Sequence, residues 1–261
     1  MLINTINSLI NSQKTDKTTF LIASFVKEHI DEIPTMTIDC MAHGCYVSKA
    51  MITKFVKSLG YESFKEFKIS AQESVLSLNK KYPFYTFDEE SLRLNAIKMM
   101  DDLTIGLRES VVSIDYEQLK LLLSDIDHAH TIMMIGHGDS ELICRKMQVS
   151  LDYLKKDVRI CDQNMEKLKQ LGDNDIIIYI SVNGYSFQYN PRSLRVLMKY
   201  PQKKWLITCA KEVDFPGHVI HLPNISPSLN DILVSFLLKT IANGLNQEDI
   251  LLNVNREYER S

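Results

Sequence analysis

Apolar positions along the first 78 residues recur with helical spacing. Met1 to Asn11 reads as a short amphipathic helix. Thr18 to His29 reads as a second, opened by Thr15 or Asp16, with Phe20, Leu21, Ala23, Ser24, Phe25 and Ile30 as its core side. Pro34 interrupts before the stretch from Met36 to Lys68, where two more helices meet at a sharp break. Thr37 or Asp39 can cap the first, from about Ile38 to Cys45, and Ser48 can cap the second. In that second helix Met51, Ile52, Phe55, Val56 and Leu59 make one apolar face. Gly60 stands where a helix end asks for positive φ. A helix from about Phe64 to Leu78 closes this domain, and the run NKKYPFYTF at 79–87, with its proline and no helical period, predicts a linker.

Beyond the linker, two helices are expected, Asp88 to Val112 and Tyr116 to Asp125, the latter carrying Leu119, Leu122 and Leu123. From Thr131 the period changes. Short apolar runs at Thr131–Ile135, Val158–Cys161, Asp175–Ile180, Trp205–Thr208 and Val219–Leu222 predict five strands. Helical patterns at Ser140–Lys155, Met165–Leu171 and Pro191–Lys199 separate most of them. Strands apolar throughout and alternating with helices predict a parallel sheet covered on both faces. A last helix runs from Ser228 to Asn243, and residues 247–261 are a tail expected to form a short helix. The fold class is therefore α + α/β: an all-helical domain over 1–78, a linker over 79–87, and a doubly wound parallel-sheet domain over 88–246.

The break between the helices ahead of Gly60 points to helix-turn-helix chemistry. Small, polar and basic residues near the start of the second helix suit a helix that enters the major groove. Lys49, Ala50 and Thr53 would face bases, Lys54 and Lys57 phosphates, and Ser48 would cap the helix. Between Cys45 and Lys68 five lysines stand against two acids. Over residues 1–80, however, nine lysines and no arginine meet eight acids, and the whole chain has a net charge of −3. The DNA reading thus rests on pattern more than on charge.

Two strand ends carry donors for an anion. Gly136-His137-Gly138-Asp139-Ser140 follows the first strand, and Ser181-Val182-Asn183-Gly184-Tyr185-Ser186 follows the third. Glycines allow close backbone approach, and hydroxyls and amides can hold a phosphate without a fixed charge. The expected donors are Ser140, Ser181, Asn183 and Ser186, with the N–H groups of Gly184 and Tyr185. Each loop alone also reads as an ordinary turn.

The chain resembles the RpiR-type bacterial transcriptional regulators, which join a helix-turn-helix domain to a sugar isomerase (SIS) domain, an αβα sandwich that senses phosphosugars. The resemblance is carried by Ala42, Val47-Ser48, Met51-Ile52, Lys54-Phe55, Leu59-Gly60-Tyr61, Phe64 and Phe67-Lys68, and by the two loops, whose family forms read Gly-x-Gly-x-Ser and Ser-x-Ser-Gly-x-Ser/Thr. It implies phosphate-contacting roles for Ser140, Ser181 and Ser186. Tyr46 stands where such motifs often carry Gly, Lys54 where they carry Arg, and Asn183 in place of a serine. Asp139 adds an acid beside the loop, and the region from Cys209 to Pro223 is shorter than usual. The resemblance implies a DNA operator and a sugar phosphate as partners, a homodimer or homotetramer, and no cofactor.

Remaining classes narrow further. Five scattered cysteines argue against a disulfide framework and for a reducing, cytoplasmic setting. Cys40, His43 and Cys45 lack a second ligand pair at zinc-finger spacing, so no metal is expected. No run approaches the length of a membrane span. An isomerase would need a general base, for which His137, Glu141, His218 and His221 are candidates, with no specific arrangement among them. A sensor is favoured over an enzyme or a vestigial oligomerisation module.

Overall fold

The computed structural model describes residues 2–13, 15–81, 89–137, 139–161, 165–185 and 191–258. The chain divides into two compact units, Met1–Phe84 and Tyr85–Ser261.

The first unit is helical, with α1 (Leu2–Asn11), α2 (Lys17–Glu28), α3 (Ile38–Gly44), α4 (Lys49–Ser58) and α5 (Phe64–Lys81). Side-chain caps set the starts. Asp16 accepts from the Thr18 and Thr19 amides, Thr37 from Cys40, and Ser48 from Met51. Leu2, Ile6, Ile22, Val26, Met41, Ile52, Val56 and Phe67 form a fully enclosed core, to which Phe55 adds a buried ring. The expected core side of α2 is corrected: Phe20 and Leu21 are exposed, and Ile22, Ala23 and Val26 face inward. Met51, expected on the apolar face of α4, is also exposed. It sits one position before Ile52, which takes the core site, and the stripe of a short helix is too narrow for both. Helix α5 continues to Lys81, three residues into the segment expected as linker. Residues 82–87 of that segment and the expected cap Asp88 lie outside the described residues.

In the second unit α6 (Glu89–Ser113) and α7 (Tyr116–His128) precede the sheet. Its strands are β1 (Thr131–Gly136), β2 (Asp157–Cys161), β3 (Ile176–Ile180), β4 (Lys203–Thr208) and β5 (His218–His221). All pairs are parallel, in the order β2-β1-β3-β4-β5. Between strands lie α8 (Asp139–Asp152) and α9 (Pro191–Leu197), and α10 (Asn230–Tyr258) ends the unit. The stretch Met165–Leu171, expected as a helix, is a short 3-10 turn at Glu166–Gln170. Alternate strand residues feed two layers. Ile132, Met134, Ile178, Ile180, Trp205 and Ile207 pack with Leu122, Met147, Leu233 and Leu237, whereas Met133, Ile135, Ile177, Tyr179 and Leu206 pack with Leu168 and Leu197. The expected break after Asn243 is absent. Gly244 lies within α10, and the helix continues to Tyr258, so residues 247–258 of the segment expected as a separate tail are its last turns.

Candidate functional site

In the helical unit, Ser48, Lys49, Ala50, Thr53, Lys54 and Lys57 are all exposed, on the side of α4 away from buried Ile52, Phe55 and Val56. Thr53 Oγ1 donates to the Lys49 carbonyl at 3.0 Å, which turns its hydroxyl toward its own helix. Lys49 forms an ion pair with Asp39 of α3. That carboxylate competes with any phosphate for the ammonium. Among the described residues Lys54 and Lys57 have no ion pair, so both remain available to an anion.

The turn between α3 and α4 keeps a compact geometry despite Tyr46. Tyr46 adopts φ 54°, its amide donates to the His43 carbonyl at 3.0 Å, and the Val47 amide donates to the Ala42 carbonyl at 3.0 Å. These bonds satisfy the free carbonyls at the end of α3. Gly60 has φ 90°, as its position in the sequence asked.

In the α/β unit the two loops meet. Gly136 at the end of β1 pairs in register with Ile180 at the end of β3, so the loops leave adjacent strands at the carboxyl edge of the sheet. The Val182 amide donates to Ser140 Oγ at 3.3 Å, tying one loop to the other. Ser140 is buried, and so is Ser181. Gly136 is required by packing: a Cβ there would lie 2.6 Å from the Ser140 carbonyl oxygen and 2.8 Å from Cys144 Sγ. Its absence lets α8 start against the strand end. Gly184 adopts φ 73°, and its amide closes the turn onto the Ser181 carbonyl at 3.1 Å, so that N–H is already engaged. Gly138 and Ser186 lie outside the described residues.

Asn183 is held from the far side. Its Nδ2 donates to the Pro227 carbonyl at 3.2 Å, and its Oδ1 accepts from Asn230 Nδ2 at 2.8 Å. Asn230, fully buried at the first turn of α10, also donates to Asn224 Oδ1 at 2.9 Å and accepts from the Ile225 and Ser226 amides at 3.1 and 3.2 Å. No local pattern announced this hub. Asn230 is 47 residues from Asn183, and an asparagine near a helix start reads only as a cap.

The candidate bases do not converge. Glu141 pairs with Arg145 across one turn of α8 at 2.7 Å. His218 opens β5, at the opposite edge of the sheet from the loops, and stacks on Trp205 at 4.5 Å. His221 Nδ1 lies 3.1 Å from the Ala210 carbonyl. His137 follows β1 directly, edge-on to Tyr179 with ring centroids 5.9 Å apart, and burial pushes its pKa down to about 4. Its enclosed Nε2 has no hydrogen-bond partner among the described residues. Burial raises the thiols of Cys45 to about 11 and Cys209 to about 12, so neither is a ready nucleophile. Among the described residues no group of three or more His, Cys, Asp or Glu could hold a metal, and no helix is long and apolar enough to cross a membrane.

Comparison with known proteins follows the same division. Residues 2–77 match the helix-turn-helix domain of the rpiR family. An uncharacterized HTH-type transcriptional regulator of Clostridium perfringens is 25% identical over 185 residues, which cover 68% of this chain and 64% of that protein, so just under two thirds of the relative is spanned. The Vibrio vulnificus NanR protein, solved in complex with ManNAc-6P, is similar over 99% of this chain and 97% of its own, with 15% identity and a TM-score of 0.50. The c3406 protein of Escherichia coli CFT073 is similar over 62% of this chain and 94% of its own, with 16% identity and a TM-score of 0.54. At such identities the likeness establishes the fold. The N-terminal domain of this chain is thus a helix-turn-helix domain of the rpiR family, in a chain homologous to an HTH-type transcriptional regulator.

Proposed function

We propose that the chain is a DNA-binding transcriptional regulator whose α/β unit senses a phosphorylated sugar and alters operator binding in response. The start of α4 enters the major groove with Lys49, Ala50 and Thr53 toward base edges, while Lys54 and Lys57 meet phosphates. Two copies read a two-fold symmetric operator with half-sites about 34 Å apart or a multiple of that. The exposed Leu92, Leu94 and Met100 of α6 support self-association as a homodimer or homotetramer.

The observation that carries the ligand half is the hydrogen bond from the Val182 amide to Ser140 Oγ. It draws the two loops together at the ends of β1 and β3. In a sheet of order β2-β1-β3-β4-β5 that is the point where the winding reverses, and open parallel sheets take ligands there. The Ser181 hydroxyl, the Ser140 proton left over from that bond, and Ser186 would donate to the phosphate. Gly136, Asn183 and Gly184 shape the loops around it, and Gly138 is a ligand contact expected from the sequence alone. The ManNAc-6P held by the Vibrio vulnificus protein supports this ligand class. The scattered bases favour sensing over turnover, with no cofactor.

A panel of phosphorylated hexoses, amino sugars and N-acetylated sugars, screened by thermal shift, tests the ligand half. At least one should raise the melting temperature of the wild type and lose that effect in Ser181→Ala, which removes a hydrogen bond to a charged group worth about 1.5–3 kcal/mol. If none does, the α/β unit is an oligomerisation module with a vestigial site. Turnover of any member by the purified protein would make it an isomerase.

A further inference from the structure

The helical unit builds one type of turn twice. At the end of α4 the Gly60 amide donates to the Lys57 carbonyl at 2.9 Å and the Tyr61 amide to the Val56 carbonyl at 3.3 Å, around φ 90° at Gly60. At the end of α3 the equivalent bonds form around Tyr46 at φ 54°. Glycine adopts this left-handed backbone without a steric penalty, whereas a residue with a Cβ does so at a cost. Among the described residues, no packing in the domain offsets that cost at Tyr46. The residue is 93% exposed, and its ring centroid lies 6.4 Å from that of His43. The fold would be served as well or better by the glycine it uses at the second turn. A bulky, exposed aromatic in a strained conformation therefore answers to something outside the domain.

Tyr46 leads into Ser48, Lys49 and Ala50, the part of α4 placed at the groove. We infer that Tyr46 is a DNA-contact residue, its phenol hydroxyl donating to a backbone phosphate beside the groove that α4 enters and its ring lying against the adjoining sugar. The inference rests on the DNA-binding reading above. Tyrosine is among the side chains that meet phosphate by hydrogen bonding. A neutral donor also suits this domain, in which nine lysines over residues 1–80 are nearly balanced by eight acids and Lys49 is paired with Asp39. With little net positive charge, more of the grip on the backbone falls to uncharged donors.

The test uses the full chain and a duplex of about 40 base pairs, enough for two half-sites one or two helical turns apart, enriched from a random library on the wild type. Affinity is read by fluorescence anisotropy over a range of salt, and stability by thermal unfolding. Tyr46→Gly should weaken binding by about ten- to a hundredfold, as for losing one hydrogen bond to a charged acceptor, without lowering the melting temperature of the helical unit. Tyr46→Phe should account for most of that loss. Neither should flatten the salt dependence, because a neutral donor releases no counterion. Tyr46→Gly with unchanged affinity overturns the inference while the DNA reading stands. A lowered melting temperature in Tyr46→Gly also overturns it, because the ring would then serve the fold. If no duplex is retained by the wild type, the DNA reading fails and the inference falls with it.

Discussion

Replacing Asn230 by alanine is the sharpest probe of how the β3 loop is held. The side chain is fully buried and makes four hydrogen bonds: to Asn183 Oδ1 and Asn224 Oδ1, and from the Ile225 and Ser226 amides. Each neutral hydrogen bond contributes about 1 kcal/mol net, and a stranded buried partner costs more. Asn183, Ile225 and Ser226 are half-buried and Asn224 is exposed, so water recovers part of the loss. The expected destabilisation is about 2–4 kcal/mol, and in a unit of this size each kcal/mol lowers the melting temperature by roughly 2–4 °C. Calorimetry of the α/β transition should therefore show a fall of about 5–15 °C. Asn230→Asp keeps the acceptor for the two amides but turns an oxygen onto Asn183 Oδ1 and Asn224 Oδ1, and should be no more stable than the alanine variant. A shift below about 1 °C in Asn230→Ala, or a fully stable Asn230→Asp, would refute the network.

Further expectations follow from single residues. Phe55→Ala opens a cavity in the core of the helical unit and should cost about 3–5 kcal/mol in denaturant unfolding; an unchanged midpoint would mean that the register of α4 is wrong. Lys54→Ala and Lys57→Ala should each weaken binding to every duplex alike and reduce the salt slope by about one; an unchanged slope would remove that lysine from the interface. The half-buried imidazole of His137, with its Nε2 enclosed, takes a proton near pH 4 in the folded chain and near 6.5 in the unfolded one. Between those values the unfolded state holds more protons, so this contribution to stability is complete above about pH 6.5 and is lost as pH falls toward 4. Thermal unfolding across that range should fall more steeply in the wild type than in His137→Gln, and parallel curves would contradict the burial.

Much of this architecture can be read from the sequence because it rests on local signals. Asp16, Thr37 and Ser48 cap the helices they precede, and the apolar runs from Thr131 and Ile176 become central strands because both faces are covered. What local pattern could not give is register at the margins. Phe20 and Leu21 look as apolar as Ile22, and only packing decides which face turns inward. Gly244 looks like a helix end, but α10 runs through it with Leu123 3.8 Å from the place of a Cβ. At the site, the loops were legible as clusters of glycine, serine and amide groups, whereas their internal hydrogen bonding was not. That Ser140 Oγ receives the Val182 amide, and that Asn183 is anchored by Asn230, depend on contacts between residues 42 and 47 apart.

Coupling between a phosphosugar and DNA within one protein is the core of the proposed function. It is tested most directly by titrating a wild-type-selected duplex with the full chain in the presence and absence of each sugar phosphate of the panel. At least one ligand should change the affinity for DNA by about 5–150-fold, the range of typical coupling free energies, and Ser181→Ala should bind the duplex normally but lose the response. A wild type that binds DNA with the same affinity whatever phosphosugar is present, or a response that survives intact in Ser181→Ala, would contradict it.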